Sequence, residues 1–123
     1  LYYSWILRNG SISSRSGERV VIPANMKEGI ILGIGKGNAK WNYSAPHGSG
    51  RRLKREEVKN HYTVSEFKKE MKDIYSSCVG AETLDEAPFA YRPIRKIAEQ
   101  IKDPVEITQI VKPVYNFKAG SRK

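Results

Sequence analysis

Val64, Phe67, Met71 and Ile74 recur at the spacing of one helix face, opposite Lys68, Lys69 and Lys72 and directly behind Thr63-Val64-Ser65-Glu66. The last four residues have the form of a capping box, in which a threonine hydroxyl and a glutamate three positions on satisfy the free N–H groups of a first helical turn. An apolar stripe of this kind is core, because it gains stability only when another element covers it. The cover must come from the rest of the chain, and both flanks read as strand rather than helix. The expected fold class is therefore α+β, with mixed strands and two to three helices.

On the N-terminal side, Asn9-Gly10 and Ser16-Gly17 are turn signals. They separate a strand near 3–7, a weak one over 11–13, and a firmer one over 19–22 that is expected to stop at Pro23. Ile30-Ile31-Leu32 reads as a short buried strand, the glycine-rich run 33–38 as a tight turn, and 41–46 as a loop. A short charged helix is expected over 53–60. Pro93 stands where a first helical residue would, Ile94, Ile97 and Ile101 give that helix a buried face, and Asp103-Pro104 ends it. Residues 105–111 and 114–117, rich in branched and aromatic side chains and split by Pro113, return to strand.

With 123 residues, 39% of them hydrophobic, the chain has the size of one domain with a modest core. It opens on Leu1 and an apolar, aromatic run, which reads as a piece of something longer. No apolar run approaches the roughly 20 residues that span a bilayer, so no membrane is expected. A single cysteine, Cys78, excludes an internal disulfide framework and fits a reducing cytoplasm.

The formal net charge is +9. The excess lies on either side of an acidic stretch over 76–110, and it includes Arg51, Arg52, Lys54 and Arg55 in close succession. Guanidinium forks match phosphate oxygens, and released counterions favour binding to a polyanion. Arg52, Lys54 and Arg55 are accordingly candidate phosphate contacts, although a solvated basic surface has the same composition.

Two glycine runs invite a phosphate-binding reading. Gly33-Ile34-Gly35-Lys36-Gly37 fails it, because Asn38 stands where a dinucleotide fingerprint needs its third glycine, and no Gly-Lys-Ser/Thr follows. His47-Gly48-Ser49-Gly50-Arg51 is different. Its glycines let backbone N–H groups approach an anion. A neutral imidazole beside them can attack phosphorus, and a nearby guanidinium can stabilise the charge that builds on the transferred group. On these residues alone, a nucleophile and a surface histidine both remain open.

The stretch His47-Gly48-Ser49-Gly50-Arg51 resembles the His-Gly-Ala-Gly-Arg signature of the RtcB family of RNA-splicing ligases. Further motifs fall in the family's order: Val21-Ile22-Pro23 then Met26, Leu32-Gly33 with Gly35-Lys36-Gly37-Asn38, Glu86-Ala87-Pro88 with Tyr91, and the run from Lys112 to Gly120. The resemblance covers nearly the whole chain and implies the C-terminal part of a single larger RtcB-like catalytic domain. It implies a ligase that uses GTP and manganese (Mn2+) to join an RNA 3′-phosphate or 2′,3′-cyclic phosphate end to a 5′-hydroxyl end. The histidine matching His47 attacks the α-phosphate of GTP, becomes covalently linked to GMP and releases pyrophosphate. GMP then passes to the RNA 3′-phosphate, and attack by the 5′-hydroxyl seals the strand.

Carried over by position, the resemblance implies His47 and Arg51 as catalytic residues, and Asn25, Gly48, Ser49, Gly50, Tyr91 and Lys118 as nucleotide-binding residues. Tyr91 matches a tyrosine packed near the guanine, and Lys118 a near-terminal lysine that contacts the nucleotide. The sequence departs from the family at Ser49, where alanine is usual, at Asn25 and Ile30, near which two small hydroxyl residues are commoner, and at Lys54, where serine is frequent. Ser121-Arg122-Lys123 extends past the usual ending. The family's manganese ligands, an aspartate, a cysteine and three histidines, match nothing in this chain, and His61 with Cys78 does not replace them. No metal ligand is therefore expected here, and the partners implied are RNA and the remainder of the ligase polypeptide. A non-catalytic RNA- or nucleotide-binding module that keeps the loop and the basic cluster is the alternative.

Overall fold

A computed structural model describes residues 5–117 of the chain. Its strands and helices, in order, are β1 (Ser11–Ser13), β2 (Arg19–Asn25), β3 (Gly29–Gly35), β4 (Ser44–Pro46), α1 (Arg55–His61), α2 (Val64–Glu70), β5 (Tyr75–Ser76), α3 (Ile94–Gln100), β6 (Val105–Val111) and β7 (Tyr115–Asn116). Single 3-10 turns fill Ala39–Trp41, Ala81–Glu86 and Pro88–Ala90. The α+β expectation holds. Antiparallel strands in the order β2-β3-β6 form the main sheet, β1 pairs antiparallel with β4, and β5 runs parallel to β7.

Burial alternates along β2, placing Val20, Ile22 and Ala24 inside. With Ile31 and Val105 they meet Ile94 and Ile97 of α3, and Ile101 just past its end, in one apolar cluster. A second cluster, built on Phe67, Met71, Val58 and Leu84, joins α1 and α2 to the 3-10 turns. Thr63 caps α2 as its sequence indicates, its hydroxyl accepting from the Glu66 N–H at 3.2 Å. The helix stops at Glu70, so Ile74 reaches the second cluster from beyond the helix end.

Several local expectations are corrected. Strand β2 does not stop at Pro23 but runs on to Asn25, because it is an edge strand of its sheet, where a missing N–H is tolerated, and because Ala24 forms a bulge between Pro23 and Asn25. Residues 33–35 belong to β3 rather than to a turn, and it is Gly37, with a φ of +65°, that leaves the strand. The loop expected over 41–46 contains β4, and Pro93 caps α3 from outside rather than opening it. Helix α1 starts two residues later than expected. Residues 5–7, the described part of the strand expected over 3–7, carry no regular structure; Tyr3 lies outside the described residues. Among the described residues, no helix is long and apolar enough to cross a membrane.

The glycines of β3 are there for close approach. A Cβ on Gly35 would lie 2.3 Å from the Arg15 carbonyl oxygen, and one on Gly33 would lie 2.7 Å from that of Glu106. The atoms crowding Gly35 are backbone atoms of Ser14 and Arg15, which leave no cheap relaxation. Gly35→Ala is expected to cost about 3 kcal/mol, the upper end for overpacking, and a melting temperature within experimental error of wild type would refute this.

Candidate nucleotide site around the His47 loop

The loop that carries His47 leaves β4 and bridges the two apolar clusters, with Ala45 in the first and Leu53 packed on the second. The His47 N–H donates to the Gly10 carbonyl at 3.3 Å, continuing the pairing of β4 with β1. Its side chain is exposed, and among the described residues no hydrogen bond holds the imidazole. Gly48 passes the Pro23 carbonyl, where an added Cβ would sit at an ordinary 3.6 Å.

Ser49 anchors the loop. It is only 3% exposed, and its hydroxyl donates to the Ala24 carbonyl at 3.0 Å. Ala24 is the extra residue of the β2 bulge. A bulge leaves part of the strand ladder disrupted, and here the serine takes up the bulged residue's carbonyl. Gly50 turns the chain with a φ of +72°, a region that favours glycine, and its carbonyl accepts from the Arg92 N–H at 3.1 Å. Arg51 then forms an isolated antiparallel bridge with Tyr91.

That bridge brings the two ends of the site together. The Arg51 guanidinium stands 4.8 Å from the centre of the Tyr91 ring, donates to the Asp85 carbonyl at 2.7 Å through Nη1, and lies 3.7 Å from the Glu86 carboxylate. The Tyr91 hydroxyl donates to the other Glu86 oxygen at 2.5 Å. Burial, then the hydrogen bond to Glu86, pushes the Tyr91 pKa up to about 12. The unfolded chain therefore releases this proton first, near pH 10. Its contribution to stability is full below that pH and is lost as pH rises through about 12. Tyr91→Phe is expected to show a shallower alkaline loss of stability over this window, checked by melting temperature against pH.

One cavity of about 310 Å³ is walled by Asn25, Ile30, Gly48, Ser49, Gly50 and Tyr91, among others, with Asn116 at its edge. Five of the residues singled out as nucleotide-binding thus share a wall. Lys118 lies outside the described residues. The Asn25 side chain is engaged locally: its oxygen accepts from the Lys27 and Glu28 N–H groups at 3.0 and 2.8 Å, and its amide donates to Glu28 at 3.0 Å. A second cavity, also about 310 Å³, touches the glycine loop from the side of Arg92 and α3.

The basic cluster divides. Arg55 pairs with Asp85 at 2.7 Å and with Glu86, and these carboxylates raise its pKa further above an already high value. Arg52 is exposed and donates to the Phe89 carbonyl at 2.9 Å and to the Tyr62 hydroxyl at 3.2 Å. Lys54 is exposed at the N-cap of α1, where its N–H donates to Glu57 at 3.3 Å. Among the described residues, no group of three or more His, Cys, Asp or Glu side chains could hold a metal ion.

Sequence reasoning gave no site role to Asp85, Glu86 or Asn116. Glu86 entered only as part of the motif Glu86-Ala87-Pro88 with Tyr91, and Asn116 only within the run from Lys112 to Gly120. The Asn116 amide donates to the Met26 carbonyl at 2.6 Å and so ties β7 to the cavity rim.

A family model described as tRNA-splicing ligase RtcB matches residues 3–119. The chain belongs to the RtcB family. It is 28% identical over 110 residues to the RNA-splicing ligase RtcB of Escherichia coli (strain K12), a match that covers 89% of this chain and 27% of that protein. It is 34% identical over 100 residues to the tRNA-splicing ligase RtcB of Aeropyrum pernix, covering 77% of this chain and 20% of that protein. The chain thus spans about a quarter or less of the length of these RtcB relatives.

Proposed function

We propose that this chain is the C-terminal part of an RtcB-type RNA ligase domain and that it carries the nucleotide-accepting histidine. The observation that carries the reading is the shared wall: Asn25, Gly48, Ser49, Gly50 and Tyr91 line one cavity beside an exposed imidazole. In this reading GTP lies along the glycine loop with its base toward Tyr91. A nitrogen of His47 attacks the α-phosphorus, a P–N bond forms, the bond to the bridging oxygen breaks, and pyrophosphate leaves. The Gly48 to Gly50 backbone and Arg51 face the phosphates, where fixed donors stabilise charge without reorganising. GMP passes from His47 to an RNA 3′-phosphate, and a 5′-hydroxyl end displaces it to seal the strand. Arg52 and Lys54, both exposed, are the basic side chains available to the RNA backbone, whereas Arg55 is already engaged by two carboxylates.

The described residues do not make a metal site, so the manganese ions that the family reading calls for belong to residues outside them, in the remainder of the ligase polypeptide. The single Cys78 is suited to the reducing cytoplasm, where it would persist as a thiol.

The test is to incubate the full-length protein with α-labelled GTP and manganese, digest it, and locate acid-labile label. Label on the peptide that contains His47 is the expected result. Label on another peptide would overturn the assignment, and tight RNA binding with no label would favour the non-catalytic binding module.

A further inference from the structure

Glu86 is in contact with two residues assigned to the site, Tyr91 and Arg51. It ends the 3-10 turn Ala81–Glu86, with its side chain 18% exposed, and it faces three functional groups. One carboxylate oxygen accepts from the Tyr91 hydroxyl at 2.5 Å; the other lies 3.7 Å from the Arg51 guanidinium and also takes Arg55. The Asp85 carbonyl accepts from both terminal nitrogens of Arg51, and the guanidinium lies over the Tyr91 ring. One carboxylate thus binds the ring's hydroxyl and stands beside Nη2 of the guanidinium that covers the ring.

Such an arrangement has a purpose beyond holding the fold. Arg55 is shared between Asp85 and Glu86 and is itself exposed, where ion pairs contribute little to stability. What the carboxylate adds is direction. A tyrosine hydroxyl bound at 2.5 Å cannot swing its ring, and a carboxylate beside Nη2 adds its charge to the hold of the Asp85 carbonyl on the same end of the guanidinium, leaving Nε and the outer N–H groups for other partners.

We propose that Glu86 is a positioning residue of the nucleotide site, setting the Tyr91 ring at the cavity wall and orienting Arg51 toward the phosphates of a guanosine nucleotide. This rests on the nucleotide reading of the cavity given above, and its test does not require His47 chemistry. The carboxylate makes two separable contributions. Its hydrogen bond to Tyr91 acts on nucleotide affinity, and its charge beside Arg51 acts on the transfer step.

The experiment titrates the full-length protein with GMP and, separately, follows adduct formation with GTP and manganese. Glu86→Ala, which removes both contributions, is expected to weaken GMP binding about tenfold and to slow adduct formation about a hundredfold. Glu86→Gln keeps an acceptor for Tyr91, so GMP affinity stays within about twofold while the maximal rate of adduct formation falls about tenfold with KM for GTP unchanged. Tyr91→Phe in the Glu86→Ala background adds no further loss of GMP affinity, because the interaction is already gone. Glu82→Gln, an exposed carboxylate on the same turn, changes neither quantity.

A merely structural role predicts a different pattern: every Glu86 variant loses activity in proportion to folded protein, with GMP affinity and KM untouched. That pattern, or additive effects of Glu86→Ala and Tyr91→Phe on GMP binding, would overturn the proposal. So would a wild-type protein that does not bind GMP. Normal GMP binding with no histidine adduct would instead overturn the ligase reading and leave the binding cycle to judge Glu86.

Discussion

Replacing His47 with alanine in the full-length protein is expected to abolish the acid-labile nucleotide adduct and to lower RNA joining by about 10⁴-fold or more, as removal of a covalent nucleophile does elsewhere. The fold should not notice. The imidazole is exposed and, among the described residues, makes no hydrogen bond, and the loop is held instead by the His47 N–H, the Ser49 hydroxyl and the Gly50 carbonyl. Exposed substitutions of this sort change stability by about 0.5 kcal/mol or less. Loss of the adduct at an unchanged melting temperature is therefore the expected pair of results. A His47→Ala protein that still joins RNA at the wild-type rate would remove the histidine from the mechanism.

The second large effect is structural. Phe67→Ala is expected to destabilise the protein by about 3–5 kcal/mol, the usual cost of emptying a buried phenylalanine site. Phe67 is fully buried at the centre of the second cluster. Its ring meets the edge of Phe89 at 6.4 Å, and Phe89 stacks on Tyr62 at 3.9 Å. Phe89 belongs to the turn Pro88–Ala90, whose Ala90 carbonyl accepts from the Arg52 N–H at 2.8 Å and which leads straight into Tyr91. A hole at Phe67 is thus felt one contact away from the site. Phe67→Leu, which refills much of the volume, should recover most of the loss. Equal melting temperatures for Phe67→Ala and wild type would show that this cluster does not hold the fold.

The same two regions show how much could be read from the sequence. Periodic apolar spacing found α2 and α3 and the residues they bury, because burial of one helix face is a local property written at fixed intervals. Strand β6 was legible for a similar reason, its branched residues. What could not be read was anything decided by a distant partner. Nothing near Gly33 or Gly35 announces that Val105, Glu106, Ser14 and Arg15 crowd them, so a strand glycine looked like a turn glycine. Pro23 looked like a stop because its edge position and the bulge after it are facts about the sheet. In the candidate site, the family resemblance pointed to the loop and to Tyr91, but the pairing of Arg51 with the turn at Asp85 and Glu86 needed the two segments, 34 residues apart, to be brought together.

The order of strands in the main sheet also sets a timetable. Strands β2 and β3 are sequence neighbours and can pair as soon as both exist, but β3 has to wait for β6, and the buried Ser14 hydroxyl has to wait for the Pro104 carbonyl 90 residues later. At ribosomal speeds of about 5–20 residues per second, that interval is on the order of 5–20 seconds. Throughout it the new hairpin offers an unpaired edge and the apolar side chains of Val20, Ile22 and Ile31 to its surroundings. The histidine loop is synthesised early in this wait, before the Tyr91 and Arg92 that it will pair with. Slower translation between β3 and β6 would lengthen that exposure.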